Sequence, residues 1–275
     1  MRSSRQHASS VLFLAMLARI SRCGMATLTE AALSSCAARS KLFPAIMHNF
    51  TMTPHGANEV ALSETCKTIH FVRHAEGIHN VASREMPGFH DGPSRTMVYH
   101  DAPLTSVGVG QGQALRIKVE GLAAPPEVVV VSPLRRAIHT AQLGFQSSAG
   151  HGPPFVCTEL CRERISIHAS DMRRDLSTIS GEFPFVDFGE VVDEADAMWP
   201  HKEILPSEDA SEACAARALD FLAWLHARPE QRLAVVSHWV FYTHLFALFG
   251  DDALGEKFGN AEMRSVVLCL RGGET

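Results

Sequence analysis

The sequence predicts an α/β fold, a three-layer sandwich with a mostly parallel central sheet and an inserted lid subdomain. Three observations predict it. Short apolar runs at 67–72, 128–131 and 233–236 have the length and β-branching of strands buried on both faces. Segments with helical spacing of apolar residues follow or separate them. Strands alternating with helices over about 200 residues indicate a parallel sheet covered on both sides.

Taken in order, the chain divides at residue 66. The segment 1–66 is expected to be a targeting or disordered region, and 67–275 a single folded domain, for which the 46% hydrophobic content supplies one sizeable core. The first fifty residues carry Arg2, Arg5, Arg19, Arg22, Arg39 and Lys41 against one acid, Glu30, and are rich in Ser and Ala. Organelle transit peptides share that composition, which points to a mitochondrion or plastid. A cytoplasmic location and a start at Met25, Met47 or Met52 remain open. Secretion fits less well, because the apolar run 11–17 lacks a clean small-x-small cleavage site. That run is also far too short to span a membrane.

The strand at 67–72 stops at Arg73-His74. Residues 81–100, rich in Gly, Pro, His and Ser, read as a loop. Thr105 or Ser106 caps a helix running to about Val119. Gly108, Gly110 and Gly112 lie inside it, where close helix-sheet packing explains them better than a nucleotide loop, since neither a preceding strand nor a lysine accompanies them. Val128 to Val131 form the second strand, ending at Ser132, and Pro133 suits the first turn of the next helix. Residues 150–206 change character, with Gly, Pro and charges dominating, and read as the lid insertion. Ser207 with Glu208 and Asp209 starts a helix whose apolar positions Cys214, Ala218, Phe221, Leu222 and Leu225 face the core. The third strand ends at Ser237-His238, a helix follows from Trp239 to Phe249, and a last strand covers 266–270.

Composition narrows the partners. A formal charge of -5 and a pI near 6.3 argue against nucleic acid or an anionic membrane surface. Seven scattered cysteines fit a reducing compartment. Cys157 and Cys161 lack a matching pair at zinc-finger spacing and read as buried thiols. Despite 15 histidines, carboxylate and imidazole clusters at metal-ligand spacing are missing, so neither metal nor cofactor is expected. His70, His139 and His244 fall inside elements and read as packing residues, whereas His79 is placed to touch substrate.

In a parallel sheet the three strand ends share one edge. Two histidines and two arginines gathered there suit a phosphoryl dianion, because guanidinium offers paired planar donors to its oxygens. At this point the chain resembles the histidine phosphatase, or phosphoglycerate mutase-like, superfamily. Arg73-His74-Ala75 matches its signature triplet, with Asn80 at the family's Asn spacing. Asp101 to Thr105 with Gly108, Ser132-Pro133-Leu134-Arg135-Arg136-Ala137 and Val235-Val236-Ser237-His238 are similar to its later blocks. The plant and fungal branch with Arg-His-Ala-Glu-Gly-x-His-Asn is the closest in look, and also resembles Glu159 to Glu163 and Asn260 to Arg264.

The resemblance implies an enzyme of the histidine acid phosphatase type. His74 would form a phosphohistidine, Arg73, Arg136, His238 and Asn80 would bind the phosphate, and a carboxylic acid would protonate the leaving group. Glu163 occupies the place of that acid, with Glu159 in reserve. Chemistry agrees: positive neighbours keep an imidazole neutral and nucleophilic, and the arginines stabilise the moving phosphoryl group. The sequence departs from the family at Gly77, where many members carry a hydroxyl, at Trp239, where a small residue is usual, and at Glu163-Arg164-Ile165-Ser166, which lacks the mutase-specific text. Hydrolysis of a small phosphorylated substrate is therefore expected, with a mutase-type phosphotransferase and a non-catalytic phospho-ligand binder as alternatives. Arg173 and Arg174 are candidates for a second acidic group of the substrate, whose identity resides in the 81–100 and 150–206 segments.

Overall fold

The computed structural model describes residues 50–54, 66–147, 150, 152–199, 207–249 and 255–270. Seven strands form one sheet in the order β1-β7-β2-β6-β3-β4-β5. They are β1 Phe50–Pro54, β2 Cys66–Arg73, β3 Val128–Val131, β4 Phe155–Cys157, β5 Val186–Asp187, β6 Arg232–Ser237 and β7 Met263–Leu270. The helices are α1 Ile78–Glu85, α2 Ser106–Glu120, α3 Arg135–Phe145, α4 Leu176–Glu182, α5 Ser207–Ala227 and α6 Trp239–Ala247. Strands β2, β6, β3, β4 and β5 are mutually parallel, and β7 runs antiparallel to both β1 and β2.

Strand period explains the layers. Val128, Val130, Leu233 and Val235 point to one face, where α5 and α6 contribute Leu222, Phe241, Tyr242 and Phe246. Val129, Val131, Ala234 and Val236 point to the other, against Leu115 of α2 and Ile138 and Phe145 of α3. Tyr242 also pins neighbouring strands, its hydroxyl lying 3.0 Å from Val72 O and 2.8 Å from Val235 O. Thr105 caps α2 by accepting from Gly108 N at 2.9 Å.

Several expectations change. The division at residue 66 leaves out β1, which pairs with β7 from Phe50↔Leu270 to Pro54↔Val266 and carries the buried Met52. Its alternation of buried Phe50 and Met52 with Thr51 and Thr53 is too short a period to mark an edge strand without that partner. Of the segment 1–66 read as targeting or disordered, residues 1–49 and 55–65 lie outside the described residues. The 150–206 insertion is not wholly a lid, because β4 and β5 extend the sheet beyond β3. The 81–100 loop begins with α1 and continues as three short 3-10 turns. Cys66 and Cys269 form a disulfide across directly opposed positions of β2 and β7, which departs from the reading of all seven thiols as reduced. Cys157, Cys161 and Cys214 are free and buried. Among the described residues, no helix is long and apolar enough to cross a membrane.

The glycines of α2 serve close approach. A Cβ on Gly108 would lie 2.1 Å from Glu76 O, and one on Gly112 would lie 2.8 Å from Leu143 of α3, while Gly110 faces open space. The packing is thus against a turn and another helix, where helix-sheet contact was expected. Gly108→Ala is expected to cost about 2 kcal/mol or more, because the carbonyl it meets is fixed backbone. Gly110→Ala should be neutral or stabilising by up to about 1 kcal/mol. Chemical denaturation of the two variants checks the contrast, and equal effects would sink the steric account.

Candidate active site

Register brings the strand ends together. Arg73 pairs with Ser237, and Val131 with Val236, so His74, Ser132 and His238 emerge side by side at the carboxyl edge of the sheet. The backbone of the Arg73-His74 step is held from both sides. His74 N donates to Ser237 O at 2.9 Å, Ala261 N to Arg73 O at 3.1 Å, and Asn260 Nδ2 to His74 O at 3.1 Å. Ala261 adopts a φ of 53°, the left-handed conformation that turns this clamp into β7.

His74 is 2% exposed. Its Nδ1 lies 2.8 Å from Ala75 O, a group that only accepts, so Nδ1 carries the proton. The other nitrogen, Nε2, is then an unprotonated lone pair, and Arg136 Nε donates to it at 3.3 Å. Burial, followed by the charges of Arg136 and Arg73, pushes the imidazole well below its ordinary pKa and keeps the ring neutral. Arg136, itself buried, is fixed by the Ser170 carbonyl at 2.5 Å and by Asp171 at 3.5 Å. Arg73 donates to Phe258 O at 2.7 Å, and its Nε has no partner among the described residues. His238 is fully buried, with its ring 5.1 Å from that of His74. Its Nε2 is 2.8 Å from Ser132 Oγ, and its Nδ1 is free among the described residues.

Two neutral imidazoles and two guanidiniums thus gather at the strand ends, with Arg73 Nε and His238 Nδ1 lacking partners among the described residues, an arrangement suited to a phosphoryl group. The sequence model of the histidine phosphatase superfamily (branch 1) matches residues 69–268. The chain belongs to that superfamily. A phosphoglycerate mutase-like protein of Arabidopsis thaliana is 34% identical over 241 residues, covering 75% of this chain and 86% of the relative. A second Arabidopsis relative, phosphoglycerate mutase-like protein 1, is 32% identical with 75% and 82% covered. A probable phosphatase of Schizosaccharomyces pombe is 29% identical over 177 residues, covering 63% and 74%. Membership of the histidine phosphatase superfamily supports an enzyme with phosphatase-type activity.

Within this histidine phosphatase fold the two candidate acids differ. The Glu163 carboxylate accepts from backbone N–H groups at the start of α6, Phe241 N at 2.8 Å and Val240 N at 3.4 Å, and from its own neighbour Arg164 N at 2.7 Å. Burial and the charge of Asp171 nevertheless raise its pKa. It is near enough to act electrostatically on both Arg73 and Arg136. Glu159 instead bridges Arg162 at 3.0 Å and Arg173 at 2.6 Å. Arg173 also donates to the carbonyls of Asp193, Glu194 and Ala195, so it is an internal strut, away from the substrate role considered for it. Arg174 lies beside Glu182 and Asp101.

Asn80 is bonded to residues around the site, with Asn260 Nδ2 3.5 Å from its Oδ1. Its Oδ1 accepts from Gly77 N at 2.9 Å and its Nδ2 donates to His79 Nε2 at 3.0 Å. Trp239, the first residue of α6, tilts toward Phe258 with ring centroids 6.3 Å apart. Ser132, Ser170, Asp171 and Asn260 are site residues to which sequence reasoning gave no role. Two of them had a signal, Ser132 as a strand end within the 132–137 block and Asn260 in the 260–264 block shared with the plant and fungal branch.

Proposed function

We propose that this chain is a phosphatase that hydrolyses phosphate monoesters through a phosphohistidine on His74. The observation that carries the reading is the His74 tautomer, with Nδ1–H tied to Ala75 O and the Nε2 lone pair beside Arg136. In the first half-reaction Nε2 attacks phosphorus and the ester P–O bond breaks. The leaving alkoxide takes the proton of Glu163, whose raised pKa suits it to hold one. Arg73 and Arg136 balance charge on the transferring oxygens. With Ser132 Oγ–H donating to Nε2 of His238, Nδ1–H of that ring is left to donate to the same group. Water then attacks the phosphohistidine, Glu163 takes its proton, and phosphate leaves with His74 regenerated.

The relatives' mutase-like names keep phosphotransfer as a second reading. Retention of a bound intermediate through both half-reactions is needed for transfer, and the segment after Glu163 lacks the mutase text. Rapid quenching with radiolabelled substrate is expected to trap an acid-labile phosphoenzyme. With phosphoglycerates, phosphate release should outrun isomerisation. Isomerisation faster than release would replace the hydrolase reading with the transferase one, and absence of any phosphoenzyme during turnover would remove the covalent route.

A further inference from the structure

A third imidazole stands beside His74. The His79 ring centroid is 5.7 Å from that of His74, compared with 5.1 Å for His238. Its hydrogen bonds define its proton. Gly77 N can only donate, and it does so to Asn80 Oδ1 at 2.9 Å, which turns the Asn80 amide nitrogen toward His79. That nitrogen donates to His79 Nε2 at 3.0 Å, so the neutral ring bears its hydrogen on Nδ1. Nδ1 is shut off from solvent and has no hydrogen-bond partner among the described residues. A buried donor left unpaired costs about 1–3 kcal/mol, a cost that a bound acceptor removes. Burial and the charges of Arg136 and Arg73 hold the His79 pKa well below its ordinary value, so the ring stays a neutral donor. The same Nδ1 would lie 2.8 Å from a Cβ on Gly77, so the bare glycine leaves room for the ring.

We propose that His79 is a further catalytic residue, whose Nδ1–H donates to an oxygen of the phosphoryl group held between His74 and Arg136. The inference rests on the phosphatase reading for its ligand. Asn80 is then a positioning residue, acting through the His79 tautomer, where the sequence had placed it on the phosphate itself. Gly77 is required because a side chain there and the imidazole compete for one volume.

The test uses the full chain, with 4-nitrophenyl phosphate as substrate and inorganic phosphate as a competitive inhibitor. Removing one donor from a developing charge costs about 10²-fold, and His79→Ala is expected to lose about that in kcat/KM and to bind inorganic phosphate more weakly. His79→Asn keeps an amide N–H near the Nδ1 position and should retain activity to within about tenfold of wild type. His79→Gln carries its amide near Nε2 and should behave like the alanine variant. Gly77→Ser alone should be impaired by collision with the ring, whereas Gly77→Ser/His79→Ala has space for a hydroxyl donor and should exceed His79→Ala by about tenfold. If the alanine variant does not fold, the Asn and Gln pair decides the question. Equal behaviour of Asn and Gln, or an alanine variant within about twofold of wild type in kcat/KM and phosphate affinity, would overturn the proposal. Inorganic phosphate binding needs no covalent intermediate. A failure to trap phosphohistidine therefore removes the proposed function while the Asn and Gln contrast still reads His79.

Discussion

His74→Ala is expected to lower kcat/KM for 4-nitrophenyl phosphate by about 10³-fold or more and to abolish the trapped phosphoenzyme. The size follows from what remains. Arg73, Arg136 and His238 still present donors to the phosphate, so binding of inorganic phosphate should survive, but the lone pair that forms the bond to phosphorus is gone. The ring is held chiefly by one hydrogen bond to the Ala75 carbonyl and lies among cations that disfavour its charged form. Its removal therefore relieves electrostatic crowding while leaving a small void, and far-ultraviolet circular dichroism should be unchanged. Phosphate release by the variant at the wild-type rate would remove the mechanism, whatever else the site does.

Glu163→Gln should lower kcat/KM for alkyl phosphates by about 10²- to 10⁴-fold while barely affecting kcat/KM for 4-nitrophenyl phosphate, because the hydrolysis of the phosphoenzyme, where Glu163 acts as base, is common to both and enters kcat alone. An alkoxide needs a proton as it leaves, whereas a nitrophenolate departs without one. The pH profile carries the same information. Activity requires neutral His74 and protonated Glu163. The His74 pKa is displaced below 6.5, so the acid limb of kcat/KM falls below that value. The Glu163 pKa is displaced above 4.5, so the alkaline limb begins at a higher pH than an ordinary glutamate would give. For alkyl phosphates the alkaline limb should vanish in Glu163→Gln and the acid limb should stay. An equal loss of kcat/KM with both substrate types would count against the acid role, as would an unchanged alkaline limb. Glutamine preserves the shape and can still accept from Phe241 N, so the substitution tests the proton more than the fold.

The central strands were legible because four consecutive valines, or a continuous apolar run ending in Ser-His, have few alternatives to a buried parallel strand. Strands β4 and β5, of three and two residues, are too short to show a period and exist through pairing with β3 and with each other. Strand β1 lies next to a basic, serine-rich segment whose composition masked it. Glu159 and Glu163 look alike in sequence, four positions apart. The difference is that Arg162 and Arg173 occupy the first, whereas backbone amides and the nearby Asp171 charge act on the second. Asn80 was assigned to the phosphate on the family's spacing, which carries no sign of the 3.0 Å contact between its amide and His79 Nε2.

From the sequence alone came the strand ends that carry Arg73, His74, Ser132 and His238, since β-branching, apolarity and breakers act over a few residues. Tertiary structure alone decided which atoms of those residues are free to react. The His74 carbonyl is clamped by Asn260, 186 positions away, and His238 is held by Ser132, 106 positions away. Tautomers and proton affinities depend on hydrogen bonds and charges at a few ångströms in space, and chain separation carries no information about those distances.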